Sequence, residues 1–87
     1  ISSMILLERV SQLIRKKGYR ISNIDVTVIM EMPRLAPYAE QMAANIAGAL
    51  EIARDSVNIK AKTNEGMGFV GRNEGVAVFA TAILTER

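Results

Sequence analysis

Residues 62–74 read KTNEGMGFVGRNE, and no other stretch gathers so many groups suited to phosphate. Lys62 and Arg72 can neutralise phosphate oxygens, the Thr63 hydroxyl can donate to one, and Glu65 can hold a divalent cation, with Asn64 and Glu74 on the same rim. Four of the chain's six glycines fall in NEGMGFVGRNEG, where GMGFVG at 66–71 spells G-x-G-x-x-G. A dinucleotide turn needs a helix after its glycines, because the pyrophosphate rests on that helix's N-terminus. Here a strand-like segment follows. A P-loop is disfavoured because no Gly-Lys-Ser/Thr occurs. GFVG at 68–71 also fits the G-x-x-G of a KH domain, but that clamp lies between two helices. Taken alone, the glycines fit the tip of a hairpin in which they supply positive φ. Two readings stay open from the residues: a plain loop, or a phosphate-handling rim at the end of a strand.

Composition narrows the chemistry. The chain has 87 residues, 49% of them hydrophobic, enough for one domain with a thin core. It has no cysteine and no histidine, so it can build neither a disulfide nor a thiolate or imidazole metal site. Eleven Lys and Arg against nine Asp and Glu give a net charge of +2, too little to imply nucleic acid. Beyond RKKGYR, no basic stripe interleaves with aromatics. No apolar run approaches the ~20 residues of a membrane span, and the opening ISSMILL lacks the flanks of a signal peptide. The default expectation is a soluble, cytoplasmic protein.

Hydrophobic periodicity supplies the elements that must hold this rim. Leu6, Val10, Leu13 and Ile14 recur at helical spacing, which predicts a helix from Ser3 to about Lys17 that buries this stripe and stops at Gly18. Arg15, Lys16 and Lys17 complement the dipole of its last turn. From Ile24 the period becomes two, with Ile24, Val26, Val28, Met30 and Met32 on one face of a half-buried strand. Pro33 and Pro37 bracket a turn, PRLAP, and Pro37 opens a second helix. Tyr38, Met42, Ile46, Ala49 and Leu50 are its expected buried side, while Ala43, Ala44 and Ala47 keep it slim. After the connector ARDS, a strand over Val57–Thr63 puts Val57, Ile59 and Ala61 on one face. VAVFATAIL, 76–84, is nearly all apolar and predicts a strand buried on both faces. The order is α-β-α-β-β. The first two strands flank a right-handed crossover helix, and the last two form a long hairpin.

The segments KKGYRISNIDVTVIMEMPRLAPY (16–38) and VNIKAKTNEGMGFVGRNEGVAV (57–78) closely resemble the C-terminal part of the 2-C-methyl-D-erythritol 2,4-cyclodiphosphate synthase family, along nearly the whole chain. The resemblance implies an intramolecular phosphoryl transfer in which the 2-phosphate of a cytidine-diphospho sugar alcohol attacks the β-phosphorus and expels CMP. It implies that Thr63 hydrogen-bonds the diphosphate and stabilises the transition state, and that Glu65 helps hold magnesium or manganese. Lys62 stands where many members carry another threonine. Met30, Glu31, Met32, Pro33, Arg34, Leu35 and Ala36 correspond to the turn that receives cytosine through backbone groups. Asn64, Phe69 and Arg72 correspond to further substrate-site residues, with Arg72 and Glu74 near a trimer axis. The family's zinc ligands, an Asp-x-His and a later histidine, belong to an N-terminal part that this sequence does not contain.

The expectation is therefore an α+β fold, a mixed sheet with helices on one face in a chorismate-mutase-like or ferredoxin-like arrangement. Residues 1–87 would be the C-terminal part of one cyclodiphosphate synthase domain, a homotrimer with active sites between subunits. It would act as a metal-dependent lyase of isoprenoid biosynthesis, with no nucleic-acid or membrane partner. The alternatives are a non-catalytic nucleotide-binding or structural module and a small RNA-binding domain. Met30, Met32 and Met42 continue apolar periodicities and are read as packing rather than as ligand contacts.

Overall fold

A computed structural model describes residues 3–30, 34–63 and 75–86. Its elements are α1 (Ser3–Lys16), β1 (Tyr19–Ile29), α2 (Ala39–Leu50), β2 (Val57–Lys62) and β3 (Ala77–Glu86), with short 3-10 turns at Ala36–Tyr38 and Arg54–Ser56. The expected α-β-α-β-β order and α+β class hold. The sheet is mixed, in the order β2-β1-β3. β1 runs parallel to β2 through the α2 crossover and antiparallel to β3.

The hairpin expectation is corrected here, because β2 and β3 do not pair and β1 lies between them. β1 is eleven residues long and offers β3 a ladder from Tyr19↔Glu86 to Ile29↔Ala77, whereas β2 has only six residues to pair with. The alternating run from Ile24 also belongs to a longer strand. Gly18, at φ +89, turns the chain directly out of α1, so β1 begins at Tyr19 and ends at Ile29. β2 stops at Lys62 rather than Thr63, and Pro37 sits in the 3-10 turn before α2 rather than at its first residue.

Register defines the faces. Ile24, Val26 and Val28 are level with Val57, Ile59 and Ala61 on one side and with Ala82, Ala80 and Val78 on the other. Both helices lie over this face, α2 on β2 and α1 on β1, and they touch each other. Buried Ala43, Ala47 and Val57 form the tightest cluster, flanked by Ile46, Ile52 and Ile59. The alanines, rather than the larger side chains expected to lead, face the sheet and bring the helix close. Leu50 is buried as expected, Met42, Ile46 and Ala49 are half-buried, and Tyr38 is exposed in the turn ahead of the helix.

The apolar stripe expected of α1 also needs correction. Its inward side is Met4, Leu7, Ser11 and Ile14, with Ser11 only 3% exposed, while Leu6, Val10 and Leu13 face outward and Leu13 is 56% exposed. α1 is apolar around more than one stripe, and periodicity picked the outer one. β3 departs further from expectation: it is an edge strand exposed along most of its length, with Val78 59% and Phe79 63% exposed on opposite faces. The helices cover β1 and β2 and leave it bare.

One irregularity sets the lower half of β1. Ile21 pairs with Leu84 and Asn23 with Ile83, so Ser22 is a surplus residue opposite no partner, a β-bulge. It puts Tyr19 and Ile21 on the helix-facing side and turns Arg20 to the open face, where its Nε donates to Thr85 Oγ1 at 3.2 Å. No described helix is long and apolar enough to cross a membrane.

Candidate functional site

The carboxyl ends of two adjacent parallel strands are where crossover folds place ligands, because the chain leaves the sheet there in loops. In this chain the parallel ladder runs to Ile29↔Lys62, and the Met30 N–H donates to the Lys62 carbonyl at 3.0 Å. Met30 and Thr63 therefore leave the sheet side by side. The chain then returns over this end through Arg34 and Leu35 into the 3-10 turn, closed by the Tyr38 N–H donating to the Leu35 carbonyl at 2.8 Å. Between the two exits lies a pocket of about 70 Å³ lined by Met30, Arg34, Leu35, Ala36, Ala61, Lys62 and Thr63.

These are the two segments singled out from sequence, the Pro-flanked turn and the KT at the end of the second strand, and they meet within one chain. The structure brings together Met30, Arg34, Leu35, Ala36, Lys62 and Thr63. Glu31, Met32, Pro33, Asn64, Glu65, Phe69, Arg72 and Glu74 lie outside the described residues. Ala61 was not among the candidates; its place next to Lys62 on a strand that reaches the pocket was the available signal. Met30 is half-buried and lines the pocket, so the reading of it as pure packing covers only part of its surroundings.

A larger groove of about 230 Å³ runs between the helices past Glu8, Ser11, Gln12, Arg15, Gly48 and Glu51, far from this chemistry. Its polar groups serve the fold. Ser11 Oγ donates to the Leu50 carbonyl at 3.2 Å and Arg15 Nη2 to the same oxygen at 2.7 Å, and Arg15 also pairs with the Glu51 carboxylate. Together they close the end of α2, where Glu51 at φ +55 occupies a left-handed position that glycine usually takes. The backbone there forms a Schellman motif, with Ile52 N–H donating to Ala47 O at 3.0 Å and Glu51 N–H to Gly48 O at 3.3 Å.

A second clasp ties the crossover to the strand that leads to Thr63. Arg54 donates through Nε and Nη2 to the Glu40 carboxylate at 2.8 and 2.6 Å, and through Nη1 to the Val57 carbonyl at 2.7 Å. The hydrogen bonds from Arg54 hold the Glu40 carboxyl below the usual carboxylate range, and Glu40 raises the Arg54 guanidinium in return. Local spacing gives no sign of this pair, which is fourteen residues apart.

The chemistry of the described pocket is that of an anion and a flat polar edge: two cations, one hydroxyl, and the backbone of a turn. Among the described residues no three His, Cys, Asp or Glu come together to hold a metal ion. Compared with known families, residues 1–85 match the YgbB family. The chain belongs to the YgbB family. Similar proteins include the 2-C-methyl-D-erythritol 2,4-cyclodiphosphate synthase of Syntrophus aciditrophicus, 58% identical over 86 residues, a match covering 99% of this chain and 54% of that protein. The synthase of Agathobacter rectalis is 58% identical over 85 residues, covering 98% and 48%. Among solved structures, the Plasmodium vivax synthase superposes with a TM-score of 0.96 at 36% identity, over 99% of this chain and 57% of that one. A Plasmodium falciparum relative in complex with CDP gives a TM-score of 0.88 at 34% identity, over 95% and 53%. This YgbB-family chain thus spans about half the length of the curated relatives it matches.

Proposed function

We propose that this chain supplies the turn and strand-end half of a cyclodiphosphate synthase active site, as the C-terminal part of a single domain. The reaction would take 4-diphosphocytidyl-2-C-methyl-D-erythritol 2-phosphate: an oxygen of the 2-phosphate bonds to the β-phosphorus, the bond from that phosphorus to the CMP oxygen breaks, and CMP leaves with the electron pair. The observation that carries this reading is the pocket where Arg34–Ala36 face Ala61–Thr63 in a YgbB-family chain. Phosphoryl transfer asks a protein mainly for position and charge, which a segment without histidine can supply. In this reading the turn 30–36 offers backbone groups to cytosine. Thr63 donates its hydroxyl to the diphosphate, and Lys62, Asn64, Phe69 and Arg72 complete the substrate contacts.

Among the described residues no three His, Cys, Asp or Glu come together for a metal ion. Glu65 is the proposed contribution of this chain to a magnesium or manganese ion, and zinc would need histidines that it lacks. The bare, apolar β3 supports association with further copies, the homotrimer being what the family resemblance implies, and the pathway would place the enzyme in a bacterial cytoplasm or a plastid stroma. Thr63→Ala is expected to lower kcat about 10²–10³-fold, as loss of one preorganised donor does. Unchanged CMP release in the complete enzyme would remove Thr63 from its role. The half-length match keeps a second reading in view, a nucleotide-binding module without turnover. It predicts CDP binding with no CMP released from substrate under any metal.

A further inference from the structure

Among the described residues, the pocket lining includes two cations and no acid. Arg34 comes from the turn and Lys62 from the end of β2, so the two segments that line one cavity each bring a cationic residue to it. Among the described residues the ion pairs are Arg15 with Glu51 and Arg54 with Glu40, and neither Arg34 nor Lys62 enters one. Two like charges gathered at one small cavity repel, and an anion bound there relieves that repulsion. The hydroxyl of Thr63 lines the same space and can donate to that anion.

We infer that Arg34 and Lys62 form a two-segment cationic clamp that selects ligands by their phosphate charge, so that a cytidine diphosphate is held by both segments while the neutral nucleoside is held by the turn alone. This inference rests on the proposed function and deepens it. It assigns the Arg34 side chain to the phosphates, although the turn that carries it is read as meeting the base through its backbone. It also makes Lys62 a determinant of ligand charge. The guanidinium can engage two oxygens at once, while the ammonium acts as a point charge.

The test is calorimetric titration of the purified protein with CDP, CMP and cytidine at about 0.01 M and about 0.15 M ionic strength, where the screening length falls from about 30 Å to about 8 Å. Affinity should rise from cytidine through CMP to CDP, and the difference should shrink in the higher salt. Lys62→Thr and Arg34→Met should each weaken CDP about 2–5-fold at low salt, the scale of one exposed charge contact. The double variant should lose most of the salt dependence, cytidine should stay within about twofold, and Lys62→Arg should restore CDP. Both side chains are exposed, so the substitutions spare the core. The clamp is overturned if neither variant alters CDP affinity or its salt dependence, or if cytidine weakens as much as CDP. Equal binding of cytidine and CDP by the unaltered protein would sink the clamp and leave the proposed function standing. Binding of neither would remove both.

Discussion

Glu51 shows how a single residue can carry a conformational penalty for the sake of a contact. A left-handed conformation costs a non-glycine residue about 1 kcal/mol, whereas its exposed ion pair with Arg15 returns about 0–1 kcal/mol. Glu51→Gly is therefore expected to leave stability unchanged or raise it by up to about 1 kcal/mol in urea unfolding. Ser11→Ala should cost about 1 kcal/mol, because the Leu50 carbonyl is buried and loses one of its two side-chain donors. The reverse ranking would show that the cap is held by Glu51 alone. Glu40 makes a prediction in pH. Its carboxyl titrates lower in the folded chain than when free, so its contribution is full above the ordinary carboxylate range and fades as pH falls through the folded value. Thermal melts across the acid range should show that loss in the parent and a flatter profile in Glu40→Gln; parallel profiles would dissociate the clasp from acid stability. None of these three roles was legible beforehand. Arg15 read as a charge at a helix end, and Arg54 as part of a connector, because partners 14 and 36 residues away leave no local pattern.

At the level of elements, α2 and β3 make opposite demands. α2 presents Ala43 and Ala47 to Val57 with almost no space left, so Ala47→Leu should overpack that contact and cost about 1–3 kcal/mol by chemical denaturation. No change in midpoint would mean the helix can back away freely. β3 is an unprotected edge with apolar residues on both faces and no charge before Glu86, the kind of strand that pairs with another chain unless something covers it. Placing a charge on it, as in Val78→Lys, should lower self-association measured by sedimentation, and an unaltered sedimentation profile would rule this face out of assembly. The sequence made both elements legible but misjudged their setting. VAVFATAIL has the composition of a central strand, and composition reports what a strand would bury rather than whether this chain has anything to bury it with. Helix type and strand order along the chain followed from period and glycine placement. The sheet order did not, because β1 is long enough to serve two neighbours and nothing local says which edge the last strand takes.

The molecule as a whole is flat and long, 44 by 26 by 19 Å, with a radius of gyration of 14.6 Å, against about 12 Å for a compact chain of this length. Among the described residues the buried apolar set is Val28, Ala43, Ala47, Leu50 and Val57, a small core for 87 residues. Thermal stability is therefore expected to depend on what binds: CDP at 100 times its Kd should add about 2.7 kcal/mol, read as a rise in Tm. A Tm indifferent to CDP, beside calorimetric binding, would mean the pocket forms equally in the unfolded ensemble. The pocket itself was foreseeable as two motifs. Their meeting was not, since it follows from the parallel pairing of β1 with β2 and from where the ladder ends.

The surplus residue at Ser22 separates β1 into two independently phased lengths. Upstream of it odd-numbered side chains look toward the helices, and downstream even-numbered ones do. Excising that one residue would let the ladder run on without interruption, Ile21 following Asn23 as Leu84 follows Ile83, with Tyr19 and Ile21 still toward the helices and Arg20 still outward beside Thr85. Such a deletion should thus be tolerated, changing only the local bend of the ribbon, and the mouth between Arg34 and Thr63 would keep its shape.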